Sequence, residues 1–184
     1  MSEIQSEYYG QEQREAYQLA IGKIVWAWTE YHEMLAELYA TLRGRERWSE
    51  SLTDWHAHAQ RSDHRARQIL LNAANERLAV DDRALEAIEW IVTTTNEILR
   101  KNRNIAAHMP LMSYTDEHGT HQILPMTILR NPRAIQMAGR DVLAEYGRFE
   151  TQILQMKTYA IGMSHYLSEP SDEGWPERPS GMRY

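Results

Sequence analysis

The chain has 184 residues, 42% of them hydrophobic, a formal net charge of -6 and no cysteine. That length supports one domain with a proper core, and the hydrophobic share excludes wholesale disorder. The missing cysteine excludes a disulfide frame, a thiolate nucleophile and a Cys-based zinc site, and the acidic balance speaks against broad, non-specific nucleic-acid binding. Ten Tyr and six Trp stand against one Phe. Each Tyr and Trp ring carries a polar handle, so these residues suit boundaries between core and water. The opening MSEIQSEYYGQEQ is polar and acidic, unlike a signal peptide. No apolar run approaches the roughly 20 residues that span a bilayer. A cytoplasmic protein with no membrane partner is expected.

The first strong periodic signal is YQLAIGKIVWAWTEYHEMLAELYATL. Tyr17, Ile21, Ile24, Trp28, Tyr31, Leu35, Leu38 and Leu42 step by three and four, the pattern of an amphipathic helix that Gly44 ends. A second helical region spans 50–79, with RARQILLNAANERLA as its clearest part and Ser62 or Asp63 as a cap or a break. The third helix starts near Asp81 or Asp82, both good N-caps. Leu85, Ile88, Val92, Thr95, Leu99 and Ile105 or Ala106 follow helical spacing, and Pro110 stops the helix near His108.

Beyond Pro110 the period changes. LMSYTDEHGTHQILPMTIL is rich in β-formers around the turn signal DEHG, which predicts a short hairpin with Pro125 at an edge or bulge. NPRA reads as a turn. The last helix places Val142, Tyr146, Phe149, Ile153, Met156, Ala160 and Met163 on one stripe. The tail SEPSDEGWPERPSGMRY holds three of the six prolines. The expected fold class is all-α, an up-and-down bundle of about four main helices with a short β-hairpin before the last. Residues 1–167 form a single domain in this reading, and 168–184 a flexible C-terminal tail.

The end of the third helix crowds Arg100, Lys101, Asn102, Arg103, Asn104 and His108 together. Cations gather at helix C-termini because the carbonyl end of the macrodipole favours them, so capping alone accounts for such a cluster. The helical wheel offers a second reading. With Asn102 at zero, Ile98 and Ile105 lie within about 60° on the core side, whereas Arg103, Asn104 and His108 fall near about 100°, 200° and 240°. Arg103 and His108 therefore flank a face that points away from the helix's own core. Small Ala107 lets another surface come close.

The residues RNIAAH resemble the signature of the HEPN family: Arg, usually followed by a polar residue, and a His after four to six intervening residues. The match falls on Arg103, Asn104 and His108, near the end of a late helix in a helical chain. The resemblance implies a homodimer in which two such faces share a cleft. It implies cleavage of RNA without a metal or other cofactor, as in members that act as toxins or phage-defence effectors. Arg103 and His108 would then be catalytic. Asn104, Lys101 and Arg100 would contact the RNA substrate, and an antitoxin or regulatory protein is a possible partner. Other members have lost the chemistry and serve as RNA- or nucleotide-binding or protein-interaction modules, which is the alternative function.

That chemistry has a physical logic. Ribonucleolysis needs a base for the 2′-OH, a cation for the phosphate and an acid for the leaving oxygen. Imidazole suits the first and third tasks, and the guanidinium fork suits the second. Related domains also carry an acidic residue facing the motif; Glu30, His32 and Glu33 are the candidates, and spacing does not choose among them. His56, His58 and His64 lack the i,i+4 spacing of a helical metal pair, and no metal site is expected.

Overall fold

The protein's structure, a computed structural model, describes residues 3–79, 82–170 and 174–182. In chain order the elements are α1 (Glu3–Arg43), α2 (Trp48–Ala59), α3 (Asp63–Arg77), α4 (Arg83–Thr94), a π turn (Thr95–Leu99) and α5 (Arg100–His108). Strands β1 (Leu111–Thr115) and β2 (His121–Pro125) follow, then α6 (Pro132–Met137) and α7 (Val142–Ser168). The fold is mostly α, with one antiparallel hairpin before the last helix, as the change of period at Pro110 predicts.

Two compact units make up the chain. One takes the residues up to Trp26 together with Lys101–Thr151, and the other takes Ala27–Arg100 together with the residues from Gln152 onward. The expected domain over 1–167 thus takes in the first unit and the greater part of the second.

In the first unit, Ile105, Ala106, Met109, Ala134, Met137, Val142, Tyr146 and Phe149 are buried. The hairpin pairs Leu111 with Pro125 and Thr115 with His121. Its turn is closed by Asp116, whose Oδ1 accepts from the backbone N–H of His118 and Thr120 at 2.9 and 2.8 Å. Gly119 takes the left-handed conformation, φ 78°, that the turn requires. Pro125 ends β2, where no ladder N–H is needed. Tyr17 ties the hairpin to α1 by donating from its hydroxyl to the Ile123 carbonyl at 3.1 Å. The segment NPRA, expected as a turn, instead opens a helix. Asn131 caps α6 by accepting from the N–H of Arg133 at 2.9 Å, and Pro132 takes the first helical position, where its missing N–H costs nothing.

In the second unit the α1 seam is buried at Tyr31, Leu35, Leu38 and Leu42, and the α7 stripe at Ile153, Met156, Ala160 and Met163. Gly44 ends α1 at φ 98°, and its N–H reaches the Ala40 carbonyl at 3.1 Å. The helical region of 50–79 breaks where expected. Ser62 is extended and accepts from the Arg65 N–H at 3.1 Å, starting α3. Asp82 caps α4 by accepting from the Ala84 N–H at 2.7 Å, while Asp81, the other candidate cap, lies outside the described residues.

The described part of the tail carries specific contacts. Its proline content signals no helix or strand, but residues 174–182 are anchored by specific contacts. Trp175 packs edge-on against Tyr166 with ring centroids 4.8 Å apart, and the Arg83 guanidinium lies 3.9 Å over its ring. Arg178 donates to Glu86 at 2.8 Å and Gln152 donates to the Gly181 carbonyl at 3.3 Å. The prolines rule out regular structure, not docking.

Candidate functional site on helix α5

Helix α5 carries every residue singled out for the site. Its apolar stripe behaves as the wheel requires: Asn102, Ile105 and Ala106 are buried, and Met109 beyond the last turn is buried with them. That packing fixes the rotation of the helix. Arg103 and Asn104 are consequently half-buried, and Lys101, Ala107 and His108 are exposed. The Arg103 Nε is withdrawn from solvent. The Arg103 side chain thus leaves the helix along protein surface before it meets water, which limits its freedom.

His108 is the last residue of α5. It stands at the carbonyl end of the helix, exposed to solvent. It lies five positions beyond Arg103, about 7.5 Å along the axis and about 140° around it. Within one chain the two side chains are neither stacked nor hydrogen-bonded partners by helix geometry; both border the face that bears Ala107. Arg100 belongs to the second unit, is exposed, and turns its Nε back along the helix to the Asn96 carbonyl at 3.4 Å.

The three candidates for an acidic or polar partner all have neighbours of their own. Glu30 accepts from Lys157 at 2.9 Å. Glu33 lies 3.5 Å from the His56 Nε2. The His32 ring sits between Trp28 and Trp55, at centroid distances of 5.1 and 6.0 Å, with its Nε2 4.0 Å from Asp63. His58 lies 3.3 Å from the Asp54 carboxylate, and its Nδ1 donates to the Asp54 backbone carbonyl at 2.9 Å. No cluster of three or more His, Asp or Glu with the geometry to hold a metal occurs among the described residues.

Sequence reasoning missed a buried polar network in the second unit. Arg67 is 1% exposed, and its Nε donates to the Asn96 Oδ1 at 2.8 Å. Asn96 belongs to the π turn Thr95–Leu99. Its neighbour Thr95 donates its one hydroxyl proton to the Ile91 carbonyl at 2.6 Å, so the buried Tyr31 hydroxyl, also at 2.6 Å, must be the donor in their shared bond. Burial pushes the Tyr31 phenol well above its usual range. A π turn within a helix is a costly local irregularity that recurs at functional positions. In the sequence the only trace of it is a run of polar residues, TTTN, inside an otherwise apolar helical pattern.

A separate cleft of 1110 Å³ in the second unit is lined by residues that include Thr41, Arg43, Trp48, Ser164 and His165, and none of the α5 motif residues. There the Arg77 guanidinium caps the end of α1 by donating to the carbonyls of Thr41 and Leu42.

No family model, curated protein or solved structure matches this chain. The functional reading therefore rests on the residues themselves.

Proposed function

We propose that this chain is a metal-independent endoribonuclease of the HEPN type, acting in the cytoplasm as a homodimer, and that it serves as a toxin or phage-defence effector. The observation that carries the reading is the rotation of α5. Asn102, Ile105 and Ala106 are buried, and this turns Ala107 and His108 to the surface with Arg103 beside them. A helix end built for capping alone has no need to present a small residue between its cations.

The reaction assigns each group a step. A His108 imidazole removes the proton of a ribose 2′-OH, and the freed oxygen attacks the adjacent phosphorus. Arg103 holds the phosphate oxygens through its two-pronged guanidinium as charge builds on them. The P–O5′ bond breaks, and the leaving oxygen takes a proton from an imidazolium. One chain supplies one motif histidine, so the second protomer's motif provides the other. The products are a 2′,3′-cyclic phosphate and a 5′-hydroxyl. Asn104 supports Arg103 or touches phosphate, and Lys101 and Arg100 guide the RNA backbone.

Cleavage of end-labelled RNA with and without EDTA tests the proposal. Activity that persists in chelator and disappears in His108→Ala is the expected result. The net charge of -6 disfavours a broad RNA-binding surface, and the second reading is a non-catalytic module that binds RNA, nucleotide or protein through the same face. Wild-type protein that binds RNA or nucleotide but never cleaves it would establish that module instead.

A further inference from the structure

We propose that the first half of α1 pairs antiparallel with the same segment of a second copy of this chain, about a two-fold axis at Leu19. The inference is independent of the ribonuclease reading, because none of its residues belongs to the α5 motif.

The face is picked out by the two most exposed large apolar side chains described on this helix; Arg14, Gln18 and Val25, on the neighbouring side, are exposed as well. Leu19 is 62% exposed and Trp26 68%, values unusual for such side chains on a helix with a packed core side. Glu12, Glu15, Ala16, Gly22 and Lys23 are exposed as well. A methyl group added at Gly22 would meet nothing within 4 Å. The glycine serves no internal contact, and a neighbouring backbone can approach closely there.

The order of these residues is symmetric about Leu19. Ala16 and Gly22 lie three residues to either side, Glu15 and Lys23 four, and Glu12 and Trp26 seven. Positions three, four and seven apart share one face of a helix. In an antiparallel pair centred on Leu19, Leu19 meets its own copy and Ala16 of each chain meets Gly22 of the other. Glu15 of each chain then faces Lys23 of the other, giving two identical ion pairs. The Trp26 ring covers the Glu12 stem and aims its indole N–H toward that carboxylate. Glu15 retains an oxygen for the Lys23 pair, since Gln11 engages only its Oε1, at 3.1 Å.

Charge selects the occupant. A parallel pairing in register would set Glu15 against Glu15 and Lys23 against Lys23, whereas the antiparallel one satisfies both. A face that complements itself under a two-fold rotation is the mark of an isologous interface. One helix crossing engages fewer than the roughly 20–30 residues a side of a standard interface, so association at micromolar concentrations is expected.

Charge swapping tests the pairing, with circular dichroism showing that each variant keeps the helical fold. Sedimentation of the full chain at tens of micromolar should show a dimer. Glu15→Lys and Lys23→Glu should each weaken it about tenfold, the effect of losing two exposed pairs. The double variant Glu15→Lys/Lys23→Glu should dimerise like the wild type, and the two single variants mixed together should form a heterodimer. Because the chain has no cysteine, single cysteines report the geometry: Leu19→Cys should give a covalent dimer with oxidised glutathione, and Gln18→Cys should not. A monomeric wild type, single variants that dimerise unchanged, failure of the double variant to recover, or linkage at Gln18→Cys in preference to Leu19→Cys would each overturn the proposal. Linkage through Ala107→Cys with none through Leu19→Cys would place the dimer on the α5 face instead.

Discussion

Arg67 donates from its Nε to the Asn96 Oδ1 at 2.8 Å, although Arg67 is only 1% exposed. A guanidinium withdrawn from water depends on the acceptors around it, and this one comes from a turn of helix that is locally widened. Asn96→Ala should therefore cost about 1.5–3 kcal/mol, the scale for a hydrogen bond to a charged group. Arg67→Ala should cost more, since it also leaves a cavity. Urea unfolding followed by circular dichroism measures both, and a change below about 0.5 kcal/mol in Asn96→Ala would show that the bond carries no net stability.

The α5 motif gives a prediction in which activity and stability separate. His108→Ala should lower RNA cleavage at least about a hundredfold, the usual effect of removing general acid–base help. Arg103→Lys should be severely impaired too, because an ammonium keeps the charge and loses the fork. His108 is exposed at the end of α5, so the melting temperature of His108→Ala should match that of the wild type. Cleavage lost together with folding would return His108 to the role of a helix cap.

Tyr146 is 1% exposed, and its hydroxyl has no hydrogen-bond partner among the described residues. A buried polar group without a partner is a cost to the fold. Tyr146→Phe keeps the ring contacts with Tyr17 and Phe149, at 6.3 and 6.1 Å, and removes only the oxygen. Thermal unfolding should show a melting temperature equal to or above that of the wild type. A drop of several degrees would mean that the hydroxyl is bound to something the fold requires.

The tyrosines also set the alkaline limit of stability. Burial pushes the Tyr146 phenol up to about 12 from its ordinary 10.0, and burial followed by the nearby Tyr17 is the cause. Burial raises Tyr39 as well, with the Asp54 carboxylate that accepts its hydroxyl adding to the effect. Each group stays protonated longer in the folded chain than in the unfolded one. The stability it lends is complete below pH 10 and declines as pH rises above 10, through about 12 for Tyr146, because the unfolded chain ionises first. Absorbance at 295 nm should show part of the tyrosines titrating only as the helical signal collapses. All ten titrating together near pH 10 in a still-folded protein would contradict this.

Gly162 and Pro176 are in close contact: a methyl group added at Gly162 would lie 2.7 Å from the Pro176 Cβ. Gly162→Ala should favour the helix locally by up to about 1 kcal/mol and yet displace the tail. Cleavage after the exposed Glu177 by a glutamate-specific protease should then accelerate severalfold, because the Arg178–Glu86 and Trp175–Tyr166 contacts depend on the tail's seat. Unchanged cleavage would show that Pro176 shifts without releasing the segment.

Much of the helical framework is legible in the sequence because it follows from local rules. The three-and-four spacing of α1 and α7, the caps at Ser62 and Asp82, the stop before Pro110 and the turn at Gly119 all depend on near neighbours in the chain. The exposure of Ala107 and His108 was likewise readable, since burial of Ile105 on the same helix determines where they point. Asn131 was misread as part of a plain turn because a six-residue helix is too short to show a period.

Tertiary structure alone decided the burial of Arg67, the anchoring of Trp175, and the neighbours of Glu30, Glu33 and His32. In each case the partners are far apart in the chain: Asn96 for Arg67, Arg83 for Trp175 and Lys157 for Glu30. The physical reason is that the period of a helix says which side chains share a face, whereas the identity of what lies against that face is set by packing between distant segments.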